Sequence, residues 1–276
     1  MVDDAAVSQL FEATRKQANI KNSRWALAPA KKVRLAVCAI PKSGSTWVTN
    51  VLSKSLRIRV RRLCYTYSSN EHDLYVPALL DTLETGFVSQ LHMRAAPHNV
   101  TLLQDFKIKS VILTRNPYDA VVSFARDLRV KLDLPAANPG QYGYSFVWLT
   151  DDMRSWSLEQ LMDYSIEYYI PWYMNFLRSW DAYKGILNSY PLRYETLKQS
   201  PAPEFSLLYR HFYSALGPDF SEYAGKSFGS KELMSQTSSD TGKGYDQLDS
   251  RQIGRIKKQF RSSDSNWISS HLELAQ

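Results

Sequence analysis

Short apolar runs alternate with longer amphipathic stretches along most of this chain. The apolar runs are too short for helices and end at turn or polar residues, which predicts buried strands at residues 33–40, 86–92, 109–114 and 192–195. Residues 56–61 predict a half-buried strand, because three apolar side chains alternate there with three arginines. The amphipathic stretches predict helices at residues 3–18, 46–55, 79–83, 99–106, 117–128, 157–183, 203–235 and from 249 onward.

Capping signals mark where several of these helices begin. Pro117 suits a first helical turn, and Ser157 and Asp249 each have a glutamine three residues later, as in a capping box. Pro171 predicts a kink or a restart inside the long helix. Residues 131–150 mix proline, glycine and aromatic residues without a period, which predicts a long loop that covers or binds a ligand.

The alternation of strands and helices predicts an α/β fold, with a central parallel sheet flanked by helices. We expect a single domain over residues 33–276, preceded by an N-terminal helix and a basic connector over residues 1–32. The 276 residues are 44% hydrophobic, which is enough for a core of this size.

Composition narrows the class of protein. The chain has no run of about 18 apolar residues, so no membrane span is predicted. Residues 1–4 resemble no leader segment, and Cys38 and Cys64 lack the spacing of a metal or redox site, so we expect a cytoplasmic protein. The net charge of +7 suits a polyanionic small molecule, a nucleic acid or an acidic surface equally well.

The junction after the first strand carries the clearest chemical signal. Residues 40–47 read IPKSGSTW, so a buried strand passes through a tight turn at Gly44 directly into a helix. Backbone N–H groups and the positive end of the helix then face one point, which suits an anion, and Lys42 adds a charge. The candidate phosphate-binding residues are Lys42, Ser43, Gly44, Ser45, Thr46 and Trp47.

This junction differs from the phosphate loop of kinases and ATPases. In that loop the lysine follows a second glycine, whereas Lys42 precedes the only glycine here. A carboxylate that could hold magnesium at the end of a second strand is also not evident.

Two segments resemble the PAPS-dependent sulfotransferases (donor 3′-phosphoadenosine 5′-phosphosulfate), in the form of a bacterial-like, cytosolic-type domain. Pro41 to Trp47 resembles their 5′-phosphosulfate loop. Arg115 to Ser123, which reads RNPYDAVVS, resembles their 3′-phosphate segment, in which an Arg and a Ser eight residues later share that phosphate. The resemblance covers about residues 33–260 and implies a P-loop-type nucleotide-binding core, with PAPS as the donor and a hydroxyl of a small or lipid-like molecule as the acceptor.

Weaker similarities imply further site residues. His92 lies where the family has its catalytic His, at the end of the strand before the 3′-phosphate segment. Tyr194 resembles a strand residue near the adenine. Lys243 and Gly244 resemble a C-terminal Arg-Lys-Gly loop over the 3′-phosphate, but Gly242 stands where the Arg would be.

The expected chemistry assigns two catalytic residues. Sulfuryl transfer resembles phosphoryl transfer, with an in-line, loose transition state and charge building on the leaving oxygen. Lys42 and the loop amides suit that charge, and His92 suits the general base. Since the leaving product is a stable anion, no metal is required in principle. His98 ranks second as the base, because it follows Pro97 in a predicted turn.

Aromatic residues fall into two groups. One group recurs at helical spacing and favours the core: Tyr168, Trp172, Phe176 and Trp180. The other group is in the predicted long loop and is a candidate lid over an apolar acceptor: Tyr142, Tyr144, Phe146 and Trp148.

Two other functions compete with the sulfotransferase interpretation. One is a nucleotide kinase with an atypical phosphate loop, which would depend on magnesium and bind ATP. The other is a non-enzymatic binder of RNA or polyanions built on basic residues 54–62, although no nucleic-acid motif accompanies them and no nucleic-acid partner is expected. The aromatic loop suits many hydroxyl compounds, and no self-association motif sets the oligomeric state.

Overall fold

A computed structural model of the protein describes residues 33–65, 71–133, 149–213, 217–224 and 242–273. Several predictions lie outside these residues: the helix and connector over 1–32, the candidate lid residues 142–148, the continuation of a helix over 225–235, and the start of the loop at 236–241.

The centre of the fold is a five-stranded sheet in which each neighbouring pair is parallel. The strands are β1 (Arg34–Ala39), β2 (Arg59–Val60), β3 (Phe87–Leu91), β4 (Lys109–Thr114) and β5 (Tyr190–Arg193). Their order across the sheet is β2-β3-β1-β4-β5. The chain therefore crosses over on both sides of β1, and ligands of such sheets bind at the carboxyl ends of the strands near the reversal of order.

Helices connect and cover the strands. In the described residues they are α1 (Ser45–Leu56), α2 (Val76–Leu80), α3 (Pro97–Asp105), α4 (Pro117–Asp133), α5 (Leu158–Leu187), α6 (Tyr194–Gln199), α7 (Pro201–Tyr213), α8 (Ser221–Ala224), α9 (Ser250–Arg261) and α10 (Asn266–Glu273). Two short 3₁₀ helices, Asp151–Ser155 and Tyr245–Gln247, precede α5 and α9. Capping boxes at Ser157 and Asp249 begin α5 and α9 as predicted. None of the helices in this part of the chain combines the length and the apolar character needed to cross a membrane.

Two hydrophobic layers confirm that helices flank both faces of the sheet. Alternate residues of β1 face opposite layers, because side chains alternate along a strand. Ala36 and Cys38 join the layer built on α4 and α5, whereas Leu35 and Val37 join the layer built on α1 and α7. All four side chains are fully buried.

The predicted aromatic stripe belongs mainly to the core. Trp172, Phe176 and Trp180 on α5 are buried, and their rings contact one another in sequence. Tyr168 is instead 46% exposed. Pro171 lies inside α5 without ending it.

The predicted strand at residues 56–61 is wrong for most of its length. Leu56 is the last residue of α1, and Arg57 ends that helix in the left-handed conformation with φ 52°. Only Arg59–Val60 pair, on the edge of the sheet. The alternation arises because a buried helix end and a buried turn residue, Ile58, lie two residues apart.

Other boundaries also differ from the prediction. The last strand, predicted at 192–195, begins at Tyr190 and ends at Arg193, and residues 194 and 195 begin α6. The helix predicted at 79–83 begins at Val76 and ends at Leu80, with Pro77 in its first turn. The described part of the helix predicted at 203–235 consists of α7, which ends at Tyr213, and the short α8.

Candidate active site

The candidate residues of the sequence meet at the carboxyl ends of three adjacent strands. Lys42 follows β1, His92 follows β3 and Arg115 follows β4, and β1 pairs with both of the other strands. A guanidinium N–H of Arg115 donates to the carbonyl of Lys42 at 2.9 Å, and the His92 ring lies 2.8 Å from the carbonyl of Ala39 on β1. The Arg115 guanidinium and the His92 ring thus both contact the backbone of the segment from Ala39 to Lys42.

The loop after β1 has a backbone shaped to bind an anion. Lys42 and Gly44 both lie in the left-handed region, with φ 65° and 82°. Such turns point N–H groups into a concave nest. Gly44 is the N-cap of α1 and provides no side-chain cap, so the first N–H groups of the helix have no capping side chain from it. These φ values are typical of loops whose backbone N–H groups bind an anion.

Tyr194 fixes this loop from below. A Cβ built on Gly44 would lie 2.6 Å from Cε2 of the Tyr194 ring, so only glycine fits against the ring. The ring also contacts Trp47 edge-on, with centroids 6.4 Å apart, and Tyr194 is 4% exposed. Tyr194, the first residue of α6, thus packs against the loop that follows β1.

The hydroxyl groups of the loop contact the protein itself. Ser43 is fully buried, and its hydroxyl donates to the carbonyl of Ile40 at 2.7 Å. The exposed Thr46 hydroxyl donates to Oε1 of Gln90 at 3.2 Å. Ser45 is 5% exposed at the start of α1. These contacts brace the loop, and the backbone N–H groups and Lys42 remain the strongest candidates for anion contacts.

Lys42 is held by a carboxylate on α4. Its Nζ lies 2.9 Å from Oδ1 of Asp127, and Nζ of Lys131 lies 3.2 Å from the other oxygen. The side chains of Lys42 and Asp127 are only 12% and 18% exposed, so solvent screens this pair incompletely. The sequence analysis did not identify Asp127 or Lys131 as site residues.

Arg115 is buried against a backbone carbonyl and an aromatic ring. It is 5% exposed, donates to the Lys42 carbonyl, and lies with Cζ 4.9 Å from the centroid of the Tyr194 ring. Two nearby carboxylates, those of Asp119 and Glu195, accept hydrogen bonds from backbone N–H groups at 2.7–2.8 Å.

A crevice beside Arg115 contains the other predicted phosphate residue, Ser123. The crevice is lined by Arg115, Asp119, Val122, Ser123, Arg126, Gly244 and Gln247. Arg126 is a second guanidinium at this position, and one of its N–H groups donates to Oε1 of Gln247 at 2.7 Å. Sequence reasoning missed Arg126, although its position three residues after Ser123 places it near the same side of α4.

Asp119 ties the C-terminal glycine loop to this crevice. Its two carboxylate oxygens accept hydrogen bonds from the N–H groups of Gly242 and Gly244, each at 2.8 Å. A Cβ on Gly244 would lie 2.5 Å from the Asp119 backbone nitrogen, and Gly242 has φ 85°. Lys243 between them is exposed. The structure therefore brings the predicted Gly244 into one crevice with Arg115 and Ser123, more than 120 residues earlier in the chain, whereas Lys243 is not among the residues that line it.

His92 is buried, and its surroundings define its protonation. Nδ1 lies 2.8 Å from the Ala39 carbonyl, so Nδ1 carries the proton and Nε2 carries the lone pair. Burial above all, with His72 next, lowers the pKa of His92 to about 3. His92 is therefore neutral at physiological pH, with Nε2 able to accept a proton.

His72 supports His92 and was not singled out by the sequence. Its Nδ1 accepts a hydrogen bond from the backbone N–H of His92 at 2.8 Å, and the His72 N–H donates to the His92 carbonyl at 3.0 Å. The two rings lie 5.4 Å apart. His98, the second candidate base, begins α3 rather than lying in a turn, and is 57% exposed beside Asp73.

A broader cleft lies at the opposite end of the strands, where β1 and β4 begin. It includes Arg34 and Lys109, the first residues of β1 and β4, together with Asn188 and Tyr213. None of the predicted site residues lines this cleft. Ligands of parallel sheets bind instead at the carboxyl ends of the strands. Within the described residues, no group of three or more His, Cys, Asp or Glu side chains is arranged to hold a metal ion.

Comparison with known proteins gives a family and a fold. The family model of the sulfotransferase domain matches residues 33–215. The fold is similar to that of mouse sulfotransferase SULT7A1 complexed with PAP (3′,5′-bisphosphoadenosine). The TM-score is 0.61 at 15% identity, and the match covers 90% of this chain and 91% of that one. Retinol dehydratase with retinol and PAP gives 0.56, at 14% identity and over 92% and 87% of the two chains.

A second structure of retinol dehydratase, with androsterone and PAP, gives a TM-score of 0.55 at 13% identity, over 91% of this chain and 87% of that one. At these identities the structural likeness concerns the fold. No curated protein sequence matches the chain.

Proposed function

This chain belongs to the sulfotransferase family, and we propose that it transfers a sulfuryl group from PAPS to a hydroxyl of a small or lipid-like acceptor. The observation that carries the proposal is the meeting of Lys42, His92 and Arg115 at the ends of three adjacent strands around a backbone nest. Groups that could bind an anion and a neutral histidine that could act as the base, the two requirements of this reaction, thus lie near each other, which supports the proposal.

The residues that line the crevice have the charges and hydrogen-bond donors to bind the 3′-phosphate of the donor. Arg115 and Arg126 supply two guanidinium groups and Ser123 a hydroxyl, and Asp119 already accepts two backbone N–H groups. Guanidinium groups bind phosphate through charge-assisted, paired hydrogen bonds. We infer that Arg126 supplies the cation that the loop lacks at Gly242, where the family has an Arg.

The loop end fits the phosphosulfate. PAPS supplies the sulfuryl group, and its bond to the phosphate oxygen breaks as the acceptor oxygen bonds to sulfur. The N–H groups around Gly44 and the ammonium of Lys42 then face the oxygen on which negative charge builds. Lys42 stabilises this charge more strongly in the transition state than in the ground state, which is what accelerates the reaction.

His92 accepts the proton of the acceptor hydroxyl at Nε2. The hydrogen bond from Nδ1 to Ala39 fixes the tautomer, and His72 holds the His92 backbone. A pKa near 3 keeps His92 unprotonated before binding. The negative charge of the bound donor favours the protonated form, so it raises the basicity of His92 when transfer occurs.

The acceptor class rests on the reaction and on two structural neighbours. Retinol dehydratase is known in complex with retinol and with androsterone, which are apolar molecules. We propose an apolar hydroxyl compound for this protein as well, and no metal in the reaction.

A screen of hydroxyl acceptors with isotopically labelled PAPS tests the proposal. Labelled sulfate should appear in at least one acceptor, with excess chelator present, and His92→Ala should abolish most of that transfer. ATP with magnesium serves as the alternative donor. Phosphorylation of an acceptor from ATP, lost on chelation and restored by magnesium, would establish a kinase instead.

A further inference from the structure

The ion pair between Lys42 and Asp127 has a consequence for donor binding. Three residues of α4 follow one another at intervals of four positions: Ser123, Asp127 and Lys131. They therefore lie on one side of the helix and are spaced about 6 Å apart along its axis. Ser123 lines the phosphate crevice, and Lys42 meets the helix at the next turn.

The carboxylate of Asp127 orients Lys42 toward α4, and this carboxylate has the same sign of charge as the donor. An ammonium 2.9 Å from a carboxylate and 12% exposed gains little by turning to water. The anionic phosphosulfate and the Asp127 carboxylate would repel each other if both contacted the same ammonium, because like charges close together in a partly buried site are unfavourable. The donor and Asp127 therefore compete for Lys42.

Lys131 lowers the energetic cost of separating Lys42 from Asp127. Its Nζ lies 3.2 Å from the second oxygen of Asp127, so the carboxylate keeps a cation when Lys42 turns away. Lys131 thereby lowers the cost of separating Lys42 from this partly buried carboxylate. Lys131 is 27% exposed and is thus a firm, partly buried partner.

We propose that Asp127 is a positioning residue that holds Lys42 away from the donor site until PAPS binds and takes it back as PAP (3′,5′-bisphosphoadenosine) leaves. Lys131 stays with Asp127 in both states. The inference rests on the proposed function, since it requires Lys42 to contact the 5′ end of the donor. It predicts that Asp127 weakens nucleotide affinity in exchange for faster product release.

Calorimetric titration of PAP into variants of the full chain tests whether Asp127 and the nucleotide compete for Lys42. Asp127→Asn should bind PAP about three- to tenfold more tightly, because a competing ion pair of this strength is removed. Lys131→Gln should bind it more weakly by a similar factor, since Asp127 then has one cation fewer to replace Lys42. Asp133→Asn is the matched control, because it removes the same charge from α4 in an exposed pair with Arg129, and it should change affinity less than twofold.

The Lys42→Met background separates this exchange from a general electrostatic effect. Asp127→Asn and Lys131→Gln should each lose most of their effect there, whereas a long-range effect of charge would persist. Unliganded melting temperatures identify any variant that merely fails to fold, and Asp127→Glu, which keeps the charge, should restore near-normal affinity.

The possible outcomes differ for the two proposals. Failure of the unmutated protein to bind PAP would overturn the proposed function. Normal binding, combined with unchanged or weaker affinity in Asp127→Asn, or with an equal gain in the Lys42→Met background, would overturn the role of Asp127 alone.

Discussion

The two ends of the site hold their cations in different ways. At the anchoring end, formed by Arg115, Ser123 and Arg126, the Arg115 guanidinium contacts a carbonyl and an aromatic ring. At the transfer end, formed by Lys42 and His92, the lysine is paired directly with a carboxylate. The lysine thus has a carboxylate partner to give up if it is to contact the donor.

This difference matches the tasks of the two ends. A group that binds the same phosphate before and after transfer is best fixed in place, because ordering it then costs no entropy on binding. A group that acts on charge that builds as the bond to sulfur breaks contributes more to rate than to affinity for the donor. We therefore expect substitutions of Lys42 and His92 to alter turnover more than nucleotide affinity, and substitutions at the anchoring end to alter mainly nucleotide affinity.

The largest expected effect is at His92. His92→Ala should lower turnover by about 10²–10⁴-fold with PAP affinity little changed, because a general base acts on the acceptor and not on the nucleotide. Initial rates at saturating PAPS and calorimetric titration of PAP measure the two quantities. His98→Ala, at an exposed histidine on α3, is the control and should leave both unchanged. Loss of PAP affinity with normal turnover would make His92 a binding or structural residue.

Lys42 should give the next largest loss. Lys42→Ala should slow transfer by about 10²–10³-fold at saturating donor, the usual scale for removing one group that stabilises developing charge. Lys54→Ala, at an exposed lysine of α1, is a matched control and should behave as the unmutated protein. Near-normal turnover of Lys42→Ala at saturating donor would remove this residue from the mechanism.

At the anchoring end, the change should appear in affinity. Arg115→Ala should weaken PAP binding about 10- to 100-fold and ADP binding much less, because a charged hydrogen bond to the 3′-phosphate is worth about 1.5–3 kcal/mol. Arg126→Gln should produce a smaller loss of the same kind, since Arg126 is less buried. Competitive binding with the two nucleotides gives both numbers. An equal loss of PAP and ADP affinity would show that Arg115 supports the loop and does not bind the 3′-phosphate.

The smallest expected effect is on stability, and it compares His92 with His271, a buried histidine of α10. Burial lowers the pKa of both, to about 3 and about 4, while an unfolded histidine titrates near 6.5. Below pH 6.5 the unfolded chain therefore binds protons that the folded protein does not, so stability falls as pH falls, by about 1.4 kcal/mol per pH unit for each histidine.

Melting temperatures at pH 7.5 and 5.5 measure this effect. His92→Gln and His271→Gln should each lose less stability on acidification than the unmutated protein does, although both are less stable at pH 7.5. His211, which is exposed, provides the control in His211→Gln. An identical decrease in all four proteins would mean that neither buried histidine is neutral in the fold.

Local signals made the fold and the frame of the site predictable from the sequence. Gly44 after a buried strand and Pro117 at a helix start locate two strand–helix junctions, and the parallel sheet follows from the alternation of elements. Local patterns also misled, because the buried end of α1 and the buried Ile58 imitate a strand at 56–61.

Contacts between distant residues could not be predicted in this way. Lys42 and Asp127 lie 85 positions apart, and Asp119 binds Gly244 across 125 positions. No period or motif records such pairs, because they depend on how α4 packs beside the loop after β1. His72 likewise becomes relevant only where the fold brings it against His92.

The central claim is that the anchoring end binds a 3′-phosphate, and a thermal shift assay with PAP and ADP tests it most directly. The unmutated protein should be stabilised by PAP at about 100 times its dissociation constant by roughly 2.7 kcal/mol, which corresponds to about 5 °C in melting temperature for a chain of this length. ADP at the same concentration should produce a much smaller shift, because it lacks the group that Arg115 and Ser123 face. Equal stabilisation by PAP and ADP would contradict the assignment of this crevice and, with it, the proposed donor.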